Sequence, residues 1–192
     1  NGDWYIFYHR HTNGTWFSRQ GCAEKLPIRE DGLFGQAELT SCGLNGGPLA
    51  GEGYYPSCIA CHLFTDRPVI YVGDSDKPEY VNGSFPKIVK EGWDGDQNEG
   101  YITNMYDQCT AGFRYFDLSH VSEITLTIRG YAYGSMEIRT SFEGSAVKTI
   151  PLHYSNIWRD IKTEIKLPEG ADSLYFTYRG PGSASFKGFT LK

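Results

Sequence analysis

The sequence predicts an all-β protein whose main unit is an antiparallel β-sandwich of the jelly-roll type. Three observations indicate this class. Apolar residues alternate with polar ones in short runs, turn signals rich in Gly and Pro separate the runs at roughly ten-residue spacing, and no stretch has a convincing helical period. A small barrel is the alternative arrangement of the same strands.

The first predicted element is a hairpin near the start of the chain. It pairs residues 4–8 with residues 16–19 and turns at Asn13-Gly14, a dipeptide that favours tight hairpins. Residues 43–48 are too rich in Gly to continue one regular element. Because Asn1 lies directly before a strand-like run, we expect the hairpin to be part of a longer unit.

Period-two patterns dominate the chain from about residue 69 onward. Every second residue of a strand lies on one face, so these patterns predict the buried face of each strand. This change in residue pattern predicts two segments, residues 1–66 and residues 67–192, with the sandwich in the second. The apolar sets are Ile124/Leu126/Ile128, Met136/Ile138, Val147/Ile150, Ile161/Ile165/Leu167, Leu174/Phe176/Tyr178 and Phe186/Phe189/Leu191.

Charge and hydropathy exclude two classes of partner. The 192 residues carry a formal net charge of −5, and Lys and Arg form no basic stripe that could neutralise phosphates. We therefore expect no nucleic-acid partner. No apolar run approaches the roughly 20 residues of a membrane span, so we expect no membrane partner either.

Five cysteines, an odd number, do not imply a complete disulfide framework. The Cys58/Cys61 pair has the spacing of zinc or redox motifs but lacks a second pair, so packed thiols are the prediction. His9 and His11 share one face of a strand and could ligate a metal, although no third ligand stands at a readable spacing. The metal content is therefore left open.

Aromatic residues outside the core are the clearest functional signal. The polarised C–H groups of a pyranose pack on the face of a Trp or Tyr ring, while its hydroxyls find polar partners at the rim. Trp158 is predicted at an exposed loop end before a strand over residues 161–167. Tyr101 and Tyr106 flank another irregular stretch. The alternative for each ring is a place in the core.

Residues 2–12 and 17–24 resemble the last part of the five-bladed propeller of family 43 glycoside hydrolases, the β-xylosidases and α-arabinofuranosidases. The resemblance implies that His9 lies under an active site near a metal or water, and that Arg19 helps to hold the sugar. It also implies that the family's catalytic carboxylates belong to earlier blades. No catalytic residue is therefore assigned here, and this chain alone is expected to be inactive.

The second segment is similar to family 6 carbohydrate-binding modules, on residues 100–102, 112–117, 124–129, 156–158, 174–180 and 186–191. The similarity implies a cleft formed by Tyr101 and Trp158, with Ser185 where the family has a longer Asn. No cofactor is required. Calcium stays an alternative, because the family's calcium ligands align with residues 69–71 and Lys187, whose ammonium could take the cation's place.

These resemblances predict a non-catalytic module of a secreted, extracellular enzyme that binds xylan or arabinoxylan and accompanies a catalytic propeller missing from this sequence. Two alternatives remain. The chain could brace that propeller without binding sugar, or it could be one part of an intact xylosidase/arabinofuranosidase.

Overall fold

The computed structural model describes residues 2–12, 19–66, 85–90 and 100–192. Within these ranges the regular structure is β-strand, apart from single 3₁₀ turns at Gly43–Asn45 and Ser57–Ile59. The all-β prediction is confirmed. The strands are β1 (Trp4–His11), β2 (Arg19–Leu26), β3 (Gly53–Pro56), β4 (His62–Phe64), β5 (Lys87–Val89), β6 (Tyr101–Met105), β7 (Thr110–Arg114), β8 (Glu123–Ala132), β9 (Ser135–Arg139), β10 (Lys148–Pro151), β11 (Ser155–Glu164), β12 (Ser173–Arg179) and β13 (Gly182–Leu191).

Two antiparallel sheets form a sandwich, as the sequence predicted. One has five strands in the order β10-β9-β12-β7-β4, and the other has the order β11-β8-β13-β6-β5 with β3 added beside β13. The connections β6–β7, β8–β9, β10–β11 and β12–β13 all pass from one sheet to the other, and the strand registers bring them to the same end of the sandwich. We call this the connecting end.

The core lies between the two sheets, and the predicted alternation builds it. Members of every apolar set named above are buried in the core or pack against it. A cluster of aromatic rings fills the centre, where Phe113 contacts Phe176 and Phe189 at centroid distances of 5.5 and 5.0 Å. Edge-on contacts of this kind add to the stability that burial of each ring supplies.

The sandwich includes strands that precede the boundary predicted at residues 66/67. β3 pairs with β13 and β4 pairs with β7. Between them, the buried Ser57 hydroxyl donates to the Phe186 carbonyl and accepts from the Ile102 amide at 2.9 Å. The predicted boundary therefore does not coincide with the edge of the sandwich sheets.

The N-terminal segment forms a two-stranded ribbon in which β1 pairs with β2 from Trp4↔Leu26 to His11↔Arg19. Residues 4–8 therefore pair with residues 22–26, and the predicted pairing with residues 16–19 is wrong. Arg10 fastens the ribbon to the sandwich by donating to the carbonyls of Ala60 and Cys61, the latter at 2.9 Å. The Asn13-Gly14 turn and residues 16–18 lie outside the described residues, as do residues 69–71.

Candidate functional site

One outward face of the larger sheet carries three of the four predicted sugar-binding residues. Tyr101 opens β6, Ser185 lies in β13 and Trp158 lies in β11. Ser185 pairs across the sheet with Arg129 of β8. The residues that alternate with these along β6, β8 and β13 are buried in the core, so this row faces away from it.

The rings of Tyr101 and Trp158 contact each other edge to face, with centroids 5.1 Å apart and planes at 81°. Two cations surround the pair. The Arg129 guanidinium carbon lies 4.2 Å from the Trp158 ring centroid, and its Nη2 donates to the Tyr101 hydroxyl at 3.1 Å. Lys187 Nζ lies 5.9 Å from the indole centroid. Cation–π attraction therefore holds the indole in place.

This geometry limits how a sugar could stack. A pyranose held between two aromatic rings needs the rings parallel, whereas these planes are nearly perpendicular and Arg129 lies over the indole. A sugar that uses that indole face must displace the guanidinium. We call these residues, with Ser185, the Tyr101–Trp158 site.

The position of Trp158 differs from the predicted loop end. β11 begins at Ser155, and the indole belongs to a bulge between Ser155 and Arg159, where pairing with β8 loses register. A bulge re-aims the side chains that it carries. The Ser155 hydroxyl stabilises this bulge by donating to the Ile157 carbonyl at 2.7 Å. Trp158 is consequently half-buried on the sheet face.

Ser185 contributes a hydroxyl to this face. Its Oγ lies 2.9 Å from the Thr103 hydroxyl, and either group could donate. A hydroxyl both donates and accepts, so the pair can still bond to an incoming hydroxyl. Its side chain is shorter than the Asn that the resemblance led us to compare it with.

Tyr106 belongs to a different concavity. It lies beyond the end of β6 and lines a cavity of about 390 Å³ with Asp107, Gly180, Pro181 and Gly182. The Asp107 carboxylate accepts from the Gly180 amide at 2.9 Å. The sequence suggested Tyr106 with Tyr101, but the structure places it at the connecting end.

His9 and Arg19 share one face of the N-terminal ribbon. Cross-strand partners and alternate residues lie on the same side, and Arg19 pairs with His11, two residues from His9. The rings of His9 and His11 are 6.2 Å apart, as alternation predicted. Arg10, between them, lies on the other side and contacts the sandwich.

Solved structures with similar folds fall into two groups. A family 43 arabinoxylan arabinofuranohydrolase from Bacillus subtilis matches with a TM-score of 0.58 at 15% identity, over 99% of this chain and 38% of that one. A family 6 carbohydrate-binding module from Clostridium stercorarium, solved with cellobiose, gives 0.57 at 11% identity, over 77% of this chain and 98% of the module. At these identities the similarity shows the fold.

Comparison of the sequence with known proteins identifies a homologue. A xylosidase/arabinosidase from Thermoclostridium stercorarium is 51% identical over 191 residues. The chain is a homologue of this xylosidase/arabinosidase, and its sandwich has the family 6 module fold. The predicted resemblance is therefore confirmed. The alignment covers all of this chain and 40% of the homologue, and no protein-family model matches the chain.

The histidines and cysteines of this chain are candidate metal ligands within the part that the structure describes. Across the described ranges, no three His, Cys, Asp or Glu side chains gather as a metal site, and Cys22, Cys42 and Cys61 are thiols outside any disulfide. Burial raises the pKa of Cys61, so its thiol stays protonated at neutral pH. Calcium near residues 69–71 lies outside the described residues and stays a prediction. None of the described helical turns is long or apolar enough to cross a membrane.

Sequence reasoning missed two features of this surface. Arg129 was overlooked because one cation in a strand carries no local signal of its partners. Three exposed tyrosines at the connecting end, Tyr131, Tyr133 and Tyr154, were also missed, although Tyr131 stands at the next outward position after Arg129 in β8. The outward set of that strand could have indicated Arg129 and Tyr131, but Tyr133 and Tyr154 lie outside it.

Proposed function

We propose that the chain is a non-catalytic carbohydrate-binding module of a secreted family 43-type glycoside hydrolase, and that it binds xylan or arabinoxylan. The observation that carries the proposal is the Tyr101–Trp158 pair on the outward face of a sandwich with the family 6 fold. Ser185 and Thr103 add hydroxyls to the same face.

Other solved modules support the choice of ligand class. A family 6 module from Clostridium cellulolyticum was solved in complex with xylose, and its TM-score to this chain is 0.54 at 12% identity. The 51% identical homologue is a xylosidase/arabinosidase. A β-linked pentose polymer is thus the first ligand to test.

The N-terminal ribbon supports a second part of the proposal, that the module lies against a catalytic propeller. Phe7 lies on the ribbon face that carries His9 and is 71% exposed. On the opposite face, Trp4 is 55% exposed and contacts the exposed Phe34 at a centroid distance of 5.5 Å, an apolar cluster of the kind that marks interaction surfaces. In a longer enzyme the propeller would cover Phe7, and His9 and Arg19, on the same face, would face its sugar site.

A bracing role without sugar binding is the second candidate, and the contact of Arg129 with Trp158 favours it. A guanidinium that lies over the indole and donates to Tyr101 stabilises the sheet surface whether or not sugar is present. The two candidates differ in whether the indole becomes available to a ligand.

Affinity electrophoresis of the whole chain tests the proposal. Gels that contain xylan, arabinoxylan, soluble cellulose derivative or arabinan are compared with a gel without polysaccharide. We expect retardation by xylan or arabinoxylan and no hydrolysis of aryl xylosides or aryl arabinofuranosides. Equal mobility in all gels would favour the bracing role. Hydrolysis that follows this polypeptide through gel filtration would contradict the non-catalytic assignment.

A further inference from the structure

Three tyrosines form an exposed cluster at the connecting end of the sandwich. Tyr131 ends the outward set of β8, Tyr133 lies in the β8–β9 turn, and Tyr154 lies in the β10–β11 connection. Their exposed fractions are 65%, 53% and 48%. Tyrosine buries a large apolar ring on folding, so three adjacent rings left in solvent call for a partner.

The three rings support one another as a platform. Tyr133 and Tyr154 lie nearly parallel, with planes at 13° and centroids 6.3 Å apart. Tyr131 contacts both edge-on, at 5.5 Å and 5.0 Å. The Tyr133 amide donates to the Tyr178 hydroxyl at 3.2 Å, which fixes the turn to the core. The rings are therefore held in place before any ligand arrives.

This tyrosine platform continues the Tyr101–Trp158 site along the sheet. Arg129 and Tyr131 are two residues apart in β8 and face the same side, so their Cα atoms are separated by roughly 7 Å. Tyr154 directly precedes β11, the strand that carries Trp158. A linear ligand that leaves Trp158 along β8 reaches the tyrosines next.

Polar groups suited to a neutral sugar border the platform. Ser183 pairs across the sheet with Tyr131, and the cavity that holds the Asp107 carboxylate is lined by Pro181. The Pro181 carbonyl accepts from the Tyr133 amide at 3.3 Å, which places this cavity beside the cluster. Flat rings with a rim of hydroxyl and carboxylate oxygens match the faces and the hydroxyls of a pyranose.

We propose that Tyr131, Tyr133 and Tyr154 form a second sugar-stacking platform, on which a long β-linked xylan chain continues beyond the Tyr101–Trp158 site. The inference rests on the proposed function for the identity of the ligand. It adds that affinity grows with chain length, because a short oligosaccharide occupies one site and a long one occupies both.

The test compares xylotriose and xylohexaose by titration calorimetry on the whole chain. Tyr131→Ala and Tyr154→Ala each remove a ring, the matched variants Tyr131→Phe and Tyr154→Phe keep it, and Tyr154→Leu keeps apolar bulk without a flat face. We expect the Ala and Leu variants to lose about tenfold in affinity for xylohexaose, about 1.4 kcal/mol, with xylotriose affinity unchanged. The Phe variants should stay within about threefold of the wild type, about 0.7 kcal/mol.

The outcomes separate this inference from the proposed function. Xylohexaose affinity unchanged in the Ala variants, with the wild-type chain binding xylan, would overturn the platform alone. Equal losses for both lengths would overturn its role as an extension. A wild-type chain that binds neither sugar would overturn the proposed function and the platform together. A dimer in sedimentation that Tyr154→Ala dissociates would replace the sugar with a second copy of the chain and overturn the platform.

Discussion

Replacing Trp158 with Ala separates a surface ring from a core ring. In this structure the indole is half-buried, contacts Arg129 and Tyr101, and has Lys187 Nζ farther away at 5.9 Å from its centroid. The cation–π contact contributes about 1 kcal/mol at a partly exposed site. The edge-to-face contact contributes about 1 kcal/mol more. We therefore expect Trp158→Ala to lower the free energy of unfolding by about 2 kcal/mol, against about 3–5 kcal/mol for a fully buried Trp.

Thermal unfolding followed by circular dichroism measures this loss. For a domain of this size, about 2 kcal/mol corresponds to a fall in Tm of about 4–8 °C. Arg129→Gln and the double variant complete a thermodynamic cycle, in which we expect a coupling free energy of about 1 kcal/mol between the two side chains. Trp158→Phe is the matched control, since it keeps a flat ring for both partners.

Two results would refute this reasoning. A loss above about 4 kcal/mol would mean that the indole is a core residue whose removal opens a cavity. A coupling free energy near zero would mean that Arg129 does not hold the ring. In either case the guanidinium would no longer be the group that a sugar must displace.

Three further variants test the fold. Phe113→Ala should cost about 3–5 kcal/mol in urea unfolding, because the ring is fully buried in the aromatic cluster. Although desolvation opposes it, hydrogen bonds from Arg139 and Arg179 hold the pKa of Glu137 below 4.5. Glu137→Gln should therefore destabilise the chain at pH 7, and the difference should shrink as pH falls through the folded-state pKa; a pH-independent difference would contradict this. Gly182→Ala should lower the free energy of unfolding by at least about 1–2 kcal/mol in thermal melts, because the φ of Gly182 is 84°, in the left-handed region, and an added Cβ would meet a backbone carbonyl of β8. An unchanged Tm would contradict this backbone conformation at Gly182.

Local patterns in the sequence were sufficient to predict the sandwich. In β8, β12 and β13 the alternate apolar residues mark the face that packs on the core, and each strand shows this pattern without reference to its partners. The membership of β3 and β4 in the sheets was not predictable in this way, because their partners β13 and β7 lie far along the chain. The predicted segment boundary was placed after both strands for that reason.

The site was only partly predictable from the sequence. Tyr101 and Trp158 were selected as aromatic residues, and the structure brings them into contact. Their edge-on geometry depends on a bulge in β11 and on the contact of Arg129 with Trp158. The register between strands determines both features, and a single strand does not reveal it. The tyrosine platform draws on one strand and two separate connections, so no single stretch of sequence indicates it.

The most direct test of the account is a calorimetric titration of the chain with soluble arabinoxylan. We expect saturable binding with a Kd below about 1 mM, which corresponds to a binding free energy more favourable than about −4.1 kcal/mol. Binding should be strongly weakened in Trp158→Ala, while the circular dichroism spectrum of the variant keeps its wild-type form. No measurable binding of the folded wild-type chain to arabinoxylan would contradict the proposed carbohydrate-binding function and favour the bracing role.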